Sequence, residues 1–180
     1  MTPYTNRGLR RNLFGRFPQG VWAITLVGFF NSAGFSISLP FIALYLYRVR
    51  GLSMTEVGFI LLGSGLFAAA AQLLSGLLTD RLGRRPLLLA TTLGGLLLQF
   101  TMALVVGAHA AVWHIVLAYA GVRAALMMAM PPVQAVVADL TPKERLVEAY
   151  GLLRVGQNLG WAAGPAAGGY LAAALSYDWL

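Results

Sequence analysis

The sequence predicts an all-α membrane protein, and two observations carry this prediction. Of its 180 residues, 58% are hydrophobic and only 11% are charged, whereas a soluble globular domain carries about 25% charged residues. The charges are also clustered, so that long stretches such as residues 57–79 and 86–122 contain none. Such a chain cannot hide its apolar surface in one soluble core, and uncharged runs of about 20 residues are long enough to cross a bilayer as helices.

The uncharged runs and the breaks between them predict five helices. The first follows a basic tail, residues 1–20. The run 86–122 is too long to cross a hydrocarbon core of about 30 Å as one straight helix, so we expect it to turn at residues 107–110, which read GAHA. We therefore place the helices near residues 21–47, 56–79, 86–106, 111–138 and 149–174.

Residue types at the predicted helix ends support these boundaries. Ser53 or Thr55 can cap the second helix, with Glu56 in its first turn beside the positive end of the helix dipole. Gly83 can adopt the left-handed conformation that ends a helix. Pro86 can open the third helix, where its missing N–H group costs nothing.

Basic residues predict the orientation. The tail, the second-to-third loop and the fourth-to-fifth loop carry four, three and two Lys or Arg, against two in the first-to-second loop. Because basic loops remain in the cytoplasm, we expect a cytoplasmic N-terminus and a multi-pass protein of the plasma or inner membrane, with the lipid bilayer as its partner. We assign the net charge of +7 to this role and not to nucleic-acid binding.

The most specific pattern lies between the second and third helices. Residues 76–88 read GLLTDRLGRRPLL, and their G-x-L-x-D-R-x-G-R-R spacing resembles the loop that joins the same two helices in the major facilitator superfamily. Residues 138–145, ADLTPKER, resemble the family's segment after helix 4. Residues 156–169, GQNLGWAAGPAAGG, are similar to its helix-5 signature, which is most associated with drug/proton antiporters.

This resemblance implies a major-facilitator-type helix bundle that moves a small solute by alternating access between two six-helix halves. It favours proton-coupled efflux of hydrophobic compounds, with protons as the coupling ion. The alternatives are uptake of a sugar or another metabolite on the same fold, or a membrane receptor that transports nothing. Residues 21–180 would form the first five helices of the N-terminal half, so we expect a longer protein whose C-terminal half is missing here.

The resemblance also implies two sets of site residues. The first is a conformational latch at the cytoplasmic face, in which Asp80, Arg84 and Asp139 resemble the family's charge cluster; the alternative is a solvated turn whose charges only set the orientation. The full latch set is Gly76, Asp80, Arg81, Gly83, Arg84, Arg85 and Asp139. The second is the helix-5 motif, Gly156, Gly160, Gly164, Pro165, Gly168 and Gly169, whose four-residue glycine spacing lets two backbones approach closely.

Arg123 is the only charge in the central part of a predicted helix. An arginine at that depth is costly, so it must face the bundle interior or a water-filled cavity. It either binds an anionic group or tunes a nearby protonation in the central cavity, or it bonds to backbone carbonyls, Asn31 or Gln99. Uncharged polar residues of the helices are candidate solute contacts or partners of a neighbouring helix: Asn31, Gln72, Gln99, Tyr119, Gln134, Asn158 and Trp161.

The chain departs from the family pattern at two positions. Arg123 is followed four residues later by Met127, where the family's helix-4 motif has glycine. Nine positions before Pro40, where some antiporters have an acidic residue, stands Asn31. The six acidic residues fall at helix ends or in loops, so a carboxylate proton carrier would lie in the missing part: Glu56, Asp80, Asp139, Glu144, Glu148 and Asp178.

The sequence lacks the residues needed for disulfides, metal sites and common catalytic centres. The chain has no cysteine, which excludes disulfides and thiolate metal sites. His109 and His114 are five residues apart and do not share a helix face, so we expect no metal site. We find no nucleophile triad, phosphate-binding loop or catalytic carboxylate pair, and we therefore expect neither an enzyme nor a cofactor.

Overall fold

The computed structural model describes residues 17–174, which form five long helices and thereby confirm the predicted all-α architecture. The basic tail up to residue 16 and Asp178 lie outside the described residues. The helices are α1 Gln19–Arg48, α2 Met54–Leu82, α3 Arg84–Gly107, α4 Val112–Leu140 and α5 Leu146–Ala174, with a 3-10 turn at Lys143–Arg145 before α5. Their observed ends lie within about three residues of the expected ones.

Within the described part of the chain, α1 to α4 are long and apolar enough to cross a membrane. The glycine-rich α5 does not meet the same criterion, although it has 29 residues, as many as α2. It nevertheless runs parallel to α1, because Gly156 meets Thr25 while Gly168, further along α5, meets Phe41. The twelve residue steps from Gly156 to Gly168 span about 18 Å along the helix axis, so α5 lies beside α1 over much of the membrane thickness that α1 can cross.

Two groups of helices build the bundle: α1 packs mainly on α5, and α4 packs on α2 and α3. A buried apolar cluster ties α4 to α1 and α2 and consists of Phe35, Ile42, Leu46, Val57, Ile115, Tyr119 and Val122. A second cluster lies where α1 begins, α4 ends and α5 begins, and consists of Val21, Val137, Ala149 and Leu153. Each end of the bundle therefore has its own apolar core.

The outer surface of the bundle is apolar. Phe59, Leu73 and Phe100 are 68%, 76% and 65% exposed, respectively. Burying one such side chain in an apolar environment is worth about 1.5–3 kcal/mol. Side chains of this kind on the outside of long helices fit contact with lipid and not with water.

A capping box begins α2. The backbone N–H of Glu56 donates to Ser53 Oγ at 3.2 Å, and the backbone N–H of Ser53 donates to Glu56 Oε2 at 2.7 Å. This pairing satisfies two of the N–H groups that a helix start leaves open. Ser53 is therefore the cap, and the alternative, Thr55, lies inside the helix.

The connection from α2 to α3 is shorter than expected, because Gly83 alone separates the two helices. Its φ of 87° is positive, as predicted, but its ψ of 157° is extended, so the predicted left-handed helical conformation was wrong. Helix α3 begins at Arg84 and not at Pro86. Pro86 is tolerated because an N–H group in the first helical turn has no partner within the helix.

The turn between α3 and α4 lies where the sequence placed it, since α3 ends at Gly107 and α4 begins at Val112. His109 has a positive φ of 49° in this turn. The Arg50 guanidinium donates to the His109 carbonyl at 3.1 Å. This hydrogen bond places the α1–α2 loop beside the α3–α4 turn, at one face of the bundle.

Candidate functional site

The glycines of α5 lie against the backbone of α1. A methyl group added at Gly156 would lie 2.6 Å from Thr25 Cγ2, and one at Gly164 would lie 2.8 Å from the Ala33 carbonyl oxygen. Real Cβ atoms essentially never approach other atoms more closely than 3.0 Å. The two backbones are therefore closer together than any side chain larger than hydrogen permits.

The same contact continues along the helix pair. A methyl group added at Gly160 would overlap the Phe29 carbonyl, and one at Gly168 would lie 2.7 Å from Phe41 Cε2. The other two members of the helix-5 motif, Pro165 and Gly169, are exposed, and a methyl group at Gly169 would meet nothing within 4 Å. The motif is thus divided between a packed face and an open face.

Ser36 joins α1 to α5 and was not singled out from the sequence. It is 1% exposed, and its hydroxyl lies 3.1 Å from both the Ala33 and the Gly160 carbonyl oxygens. A hydroxyl has one proton to donate, so the two carbonyls share it. A small polar residue one turn after Ser32 and Ala33 was the available signal, because such residues allow close helix packing in membranes.

The proposed latch residues come together only in part. The Arg84 guanidinium forms an ion pair with Asp139 and donates to the Ala135 carbonyl at 3.2 Å. The first turn of α3 is thereby fastened to the last turn of α4. Within residues 17–174, Asp80 makes no ion pair, although its charge favours the Arg84 cation. The predicted three-residue cluster therefore consists of one direct pair and a neighbouring carboxylate.

Two of the remaining latch positions, Gly83 and Arg85, line an open cleft beside this pair. The cleft is lined by Thr79, Asp80, Gly83, Arg84, Arg85 and Pro86. Arg81 and Arg85 are exposed, and a methyl group added at Gly76 would meet nothing within 4 Å. Contacts within the described part of the chain therefore give no reason for arginine at positions 81 and 85 or for glycine at position 76.

Arg123 reaches from α4 to α2. Its Nη1 atom donates to the Leu61 carbonyl at 3.4 Å, and a methyl group added at Gly65 would lie 3.7 Å from the same nitrogen. Tyr119, one turn earlier on α4, is 5% exposed, and its hydroxyl lies beside the guanidinium. Arg123 therefore contacts a backbone carbonyl, and within residues 17–174 it makes no hydrogen bond to Asn31 or Gln99.

The other polar candidates do not form one site. Asn31 and Gln99 line a shared cavity between α1, α3 and α4. The Trp161 ring packs edge-on against Phe35, with ring centres 5.5 Å apart. Gln134 and Asn158 are exposed and Gln72 is half-buried. Gln157, which sequence reasoning missed, places its amide 3.9 Å from the Met130 sulfur.

The chain is similar to known transport proteins over most of its length. A family model described as Major Facilitator Superfamily matches residues 24–180. An uncharacterised MFS-type transporter of Bacillus subtilis, YqjV, is 26% identical over 155 residues, which cover 86% of this chain and 37% of that protein.

Two multidrug resistance proteins are also similar. MdtG of Dickeya zeae is 34% identical over 151 residues, which cover 80% of this chain and 35% of that protein. MdtG of Klebsiella pneumoniae is 32% identical over 157 residues, which cover 83% and 36% of the two chains. The chain thus spans just over a third of the length of these relatives.

Proposed function

The chain belongs to the Major Facilitator Superfamily, and from this premise we propose that it serves proton-coupled efflux of hydrophobic compounds. Members of this family are transporters of small solutes within a membrane and are not enzymes. The observation that carries the proposal is the 34% identity to a protein named for multidrug resistance. The close packing of α5 on α1, at the motif associated with drug/proton antiporters, supports the same subclass.

We assign this activity to the protein at its natural full length, in the plasma or inner membrane. The chain spans just over a third of the relatives, and alternating access needs a second helical half around the solute. The acidic residues in the described part of the chain lie at helix ends or in the loop before α5: Glu56, Asp80, Asp139, Glu144 and Glu148. We therefore propose that a carboxylate proton carrier belongs to the remaining part.

The Arg84–Asp139 pair supports the latch proposal. Because both residues belong to this bundle, the pair holds α3 to α4 and cannot by itself join two halves. Asp80 is exposed beside it and has no ion-pair partner within residues 17–174. We propose that Asp80 takes its partner from the second half when the cytoplasmic side is closed, and that Arg84 holds the loop in place for this contact.

The test uses inverted membrane vesicles that contain the full-length protein. Accumulation of a cationic, a neutral and an anionic naphthalene derivative is measured after a proton gradient is established. We expect at least one compound to accumulate, and collapse of the gradient with a protonophore should abolish this accumulation. Vesicles without the protein provide the control for passive partitioning. Equal accumulation in both kinds of vesicle, for all three compounds, would contradict efflux.

A further inference from the structure

We propose that Arg123 and Tyr119 form a binding site for the carboxylate of an amphipathic organic anion, between α2 and α4. This inference deepens the proposed transport function and rests on it. It names a substrate class, a hydrophobic compound with one carboxylate group. The argument depends on which hydrogen-bonding groups the site offers and which it lacks.

The site offers a guanidinium that is poorly satisfied. A guanidinium has five N–H donors and no acceptor, yet the Arg123 guanidinium makes one hydrogen bond within residues 17–174, to the Leu61 carbonyl at a long 3.4 Å. That carbonyl already accepts a hydrogen bond from Ser64 Oγ at 2.9 Å. Most of the donor capacity of Arg123 is therefore free for a ligand.

Tyr119 supplies a second unsatisfied donor at the same place. Its side chain is 5% exposed. Its hydroxyl lies beside the Arg123 guanidinium but makes no hydrogen bond of normal geometry to any residue that the structure describes, so its proton is free for a ligand. Arg123 follows four residues later, so the two side chains share one face of α4, and their polar ends are neighbours. Leaving a buried hydroxyl unpaired is costly, and this cost is removed when a ligand supplies an acceptor.

The site lacks a negative charge. Arg123 lies eleven residues after Val112, the start of α4, which is about 17 Å along the helix axis. The acidic residues within the described range lie near helix ends, as noted above, and none forms an ion pair with Arg123. A positive charge at membrane depth is stabilised by an opposite charge, by backbone carbonyls or by water. Arg123 has one long carbonyl contact within residues 17–174, so an anion is the ligand type that would stabilise it most.

A carboxylate fits this set of donors. A guanidinium binds the two oxygens of a carboxylate through parallel hydrogen bonds, and the Tyr119 hydroxyl can donate a third. Gly65 on the facing helix leaves the guanidinium room, since a methyl group there would lie 3.7–3.9 Å from its nearest atoms. The surroundings are apolar, because Tyr119 belongs to the cluster with Phe35, Val57 and Ile115. The rest of the ligand must therefore be hydrophobic.

The test measures equilibrium binding to the full-length protein in lipid nanodiscs. Radiolabelled 1-naphthoate is compared with radiolabelled 1-naphthamide, a neutral compound of nearly the same shape. We expect the protein to prefer the carboxylate, and Arg123→Gln to remove this preference. Tyr119→Phe should weaken naphthoate binding about tenfold and leave naphthamide binding unchanged. Arg123→Lys should retain a weaker preference, because lysine keeps the charge but not the planar donor fork.

The matched control is Arg154→Gln, which removes an exposed arginine of α5 outside the site. It should bind both compounds as the unaltered protein does. Equal binding of naphthoate and naphthamide by the unaltered protein would overturn the proposal, and so would a preference that survives in Arg123→Gln. If the protein binds naphthoate as expected but shows no gradient-driven flux, the binding site is confirmed and only the transport proposal is contradicted.

Discussion

The backbone of Gly83 shows how much a single residue determines at the turn between α2 and α3. Its φ of 87° and ψ of 157° lie in a region that glycine alone occupies readily. This conformation lets α3 begin at Arg84 directly after α2, and it thereby positions Arg84 to reach Asp139. The geometry of the Arg84–Asp139 pair thus depends on a residue that has no side chain.

We expect Gly83→Ala to lower the free energy of unfolding by about 1–3 kcal/mol, because a Cβ atom strains this conformation. The measurement is unfolding of the purified protein in mixed micelles by a denaturing detergent. The control is Gly94→Ala in α3, where an added methyl group meets nothing within 4 Å. Helical propensity alone should make that variant more stable by about 0.5–1 kcal/mol. Equal stability of the two variants would remove the role given to Gly83.

For the exposed Arg84–Asp139 pair we expect substitutions to change transport more than stability, unlike Gly83→Ala. The side chains are 45% and 56% accessible, and exposed ion pairs contribute only about 0.2–1 kcal/mol to stability. Arg84→Asp and Asp139→Arg should each reduce gradient-driven accumulation roughly tenfold, which is the size of a moderate coupling between sites. Their stability should change little. The double variant, which restores opposite charges, should recover flux.

Lys143→Asp is the control for this experiment, since it reverses an exposed basic residue in the connection between α4 and α5, four residues after Asp139. Its flux should stay close to that of the unaltered protein. Failure of the double variant to recover, with both single variants inactive, would show that the two charges act separately and not as a pair.

At the level of helices, sequence spacing identified the packed face of α5 but not its partner. Glycines four residues apart share one side of any helix, so the face could be predicted. The assembly of the helices decides that α1 covers this face. It also brings the Ser36 hydroxyl close enough to donate a hydrogen bond to the Gly160 carbonyl on α5. Pro165 and Gly169 belong to the same motif but lie on the open side, because a motif records residue order and not which surface is covered.

We expect Gly164→Ala to destabilise the α1–α5 pair by about 1–3 kcal/mol, the usual effect of overfilling a packed interior. The added methyl group would overlap Ser36 Oγ and approach the Ala33 carbonyl to 2.8 Å. Gly169→Ala is the matched control on the same helix, and it should not destabilise the protein. The larger Gly164→Leu should abolish transport while membrane insertion persists. Normal stability of Gly164→Ala would show that the close contact is dispensable.

For the whole molecule, hydropathy and charge predicted most helix boundaries, because burying a charge in lipid is costly. The boundary between α3 and α4 carries no charge and followed instead from the length of the uncharged run 86–122. The candidate solute contacts were harder to predict. Asn31 and Gln99 share a cavity, but Asn158 and Gln134 face outward. An uncharged polar side chain is tolerated on several helix faces, so its type alone does not reveal its surroundings. Arg123 was identifiable because a buried charge has few acceptable environments.

Orientation is the remaining property of the whole molecule, and the chain suits a direct test because it has no cysteine. Leu82 and Met54 lie at opposite ends of α2 and are 59% and 60% exposed, so Leu82→Cys and Met54→Cys introduce reachable thiols without altering any charge. Because loops rich in Lys and Arg remain in the cytoplasm, a membrane-impermeant thiol reagent added to intact cells should label position 54 and not position 82. Permeabilised cells should show labelling at both positions, which controls for accessibility. Labelling of position 82 alone in intact cells would reverse the orientation and move the Arg84–Asp139 pair to the outer face.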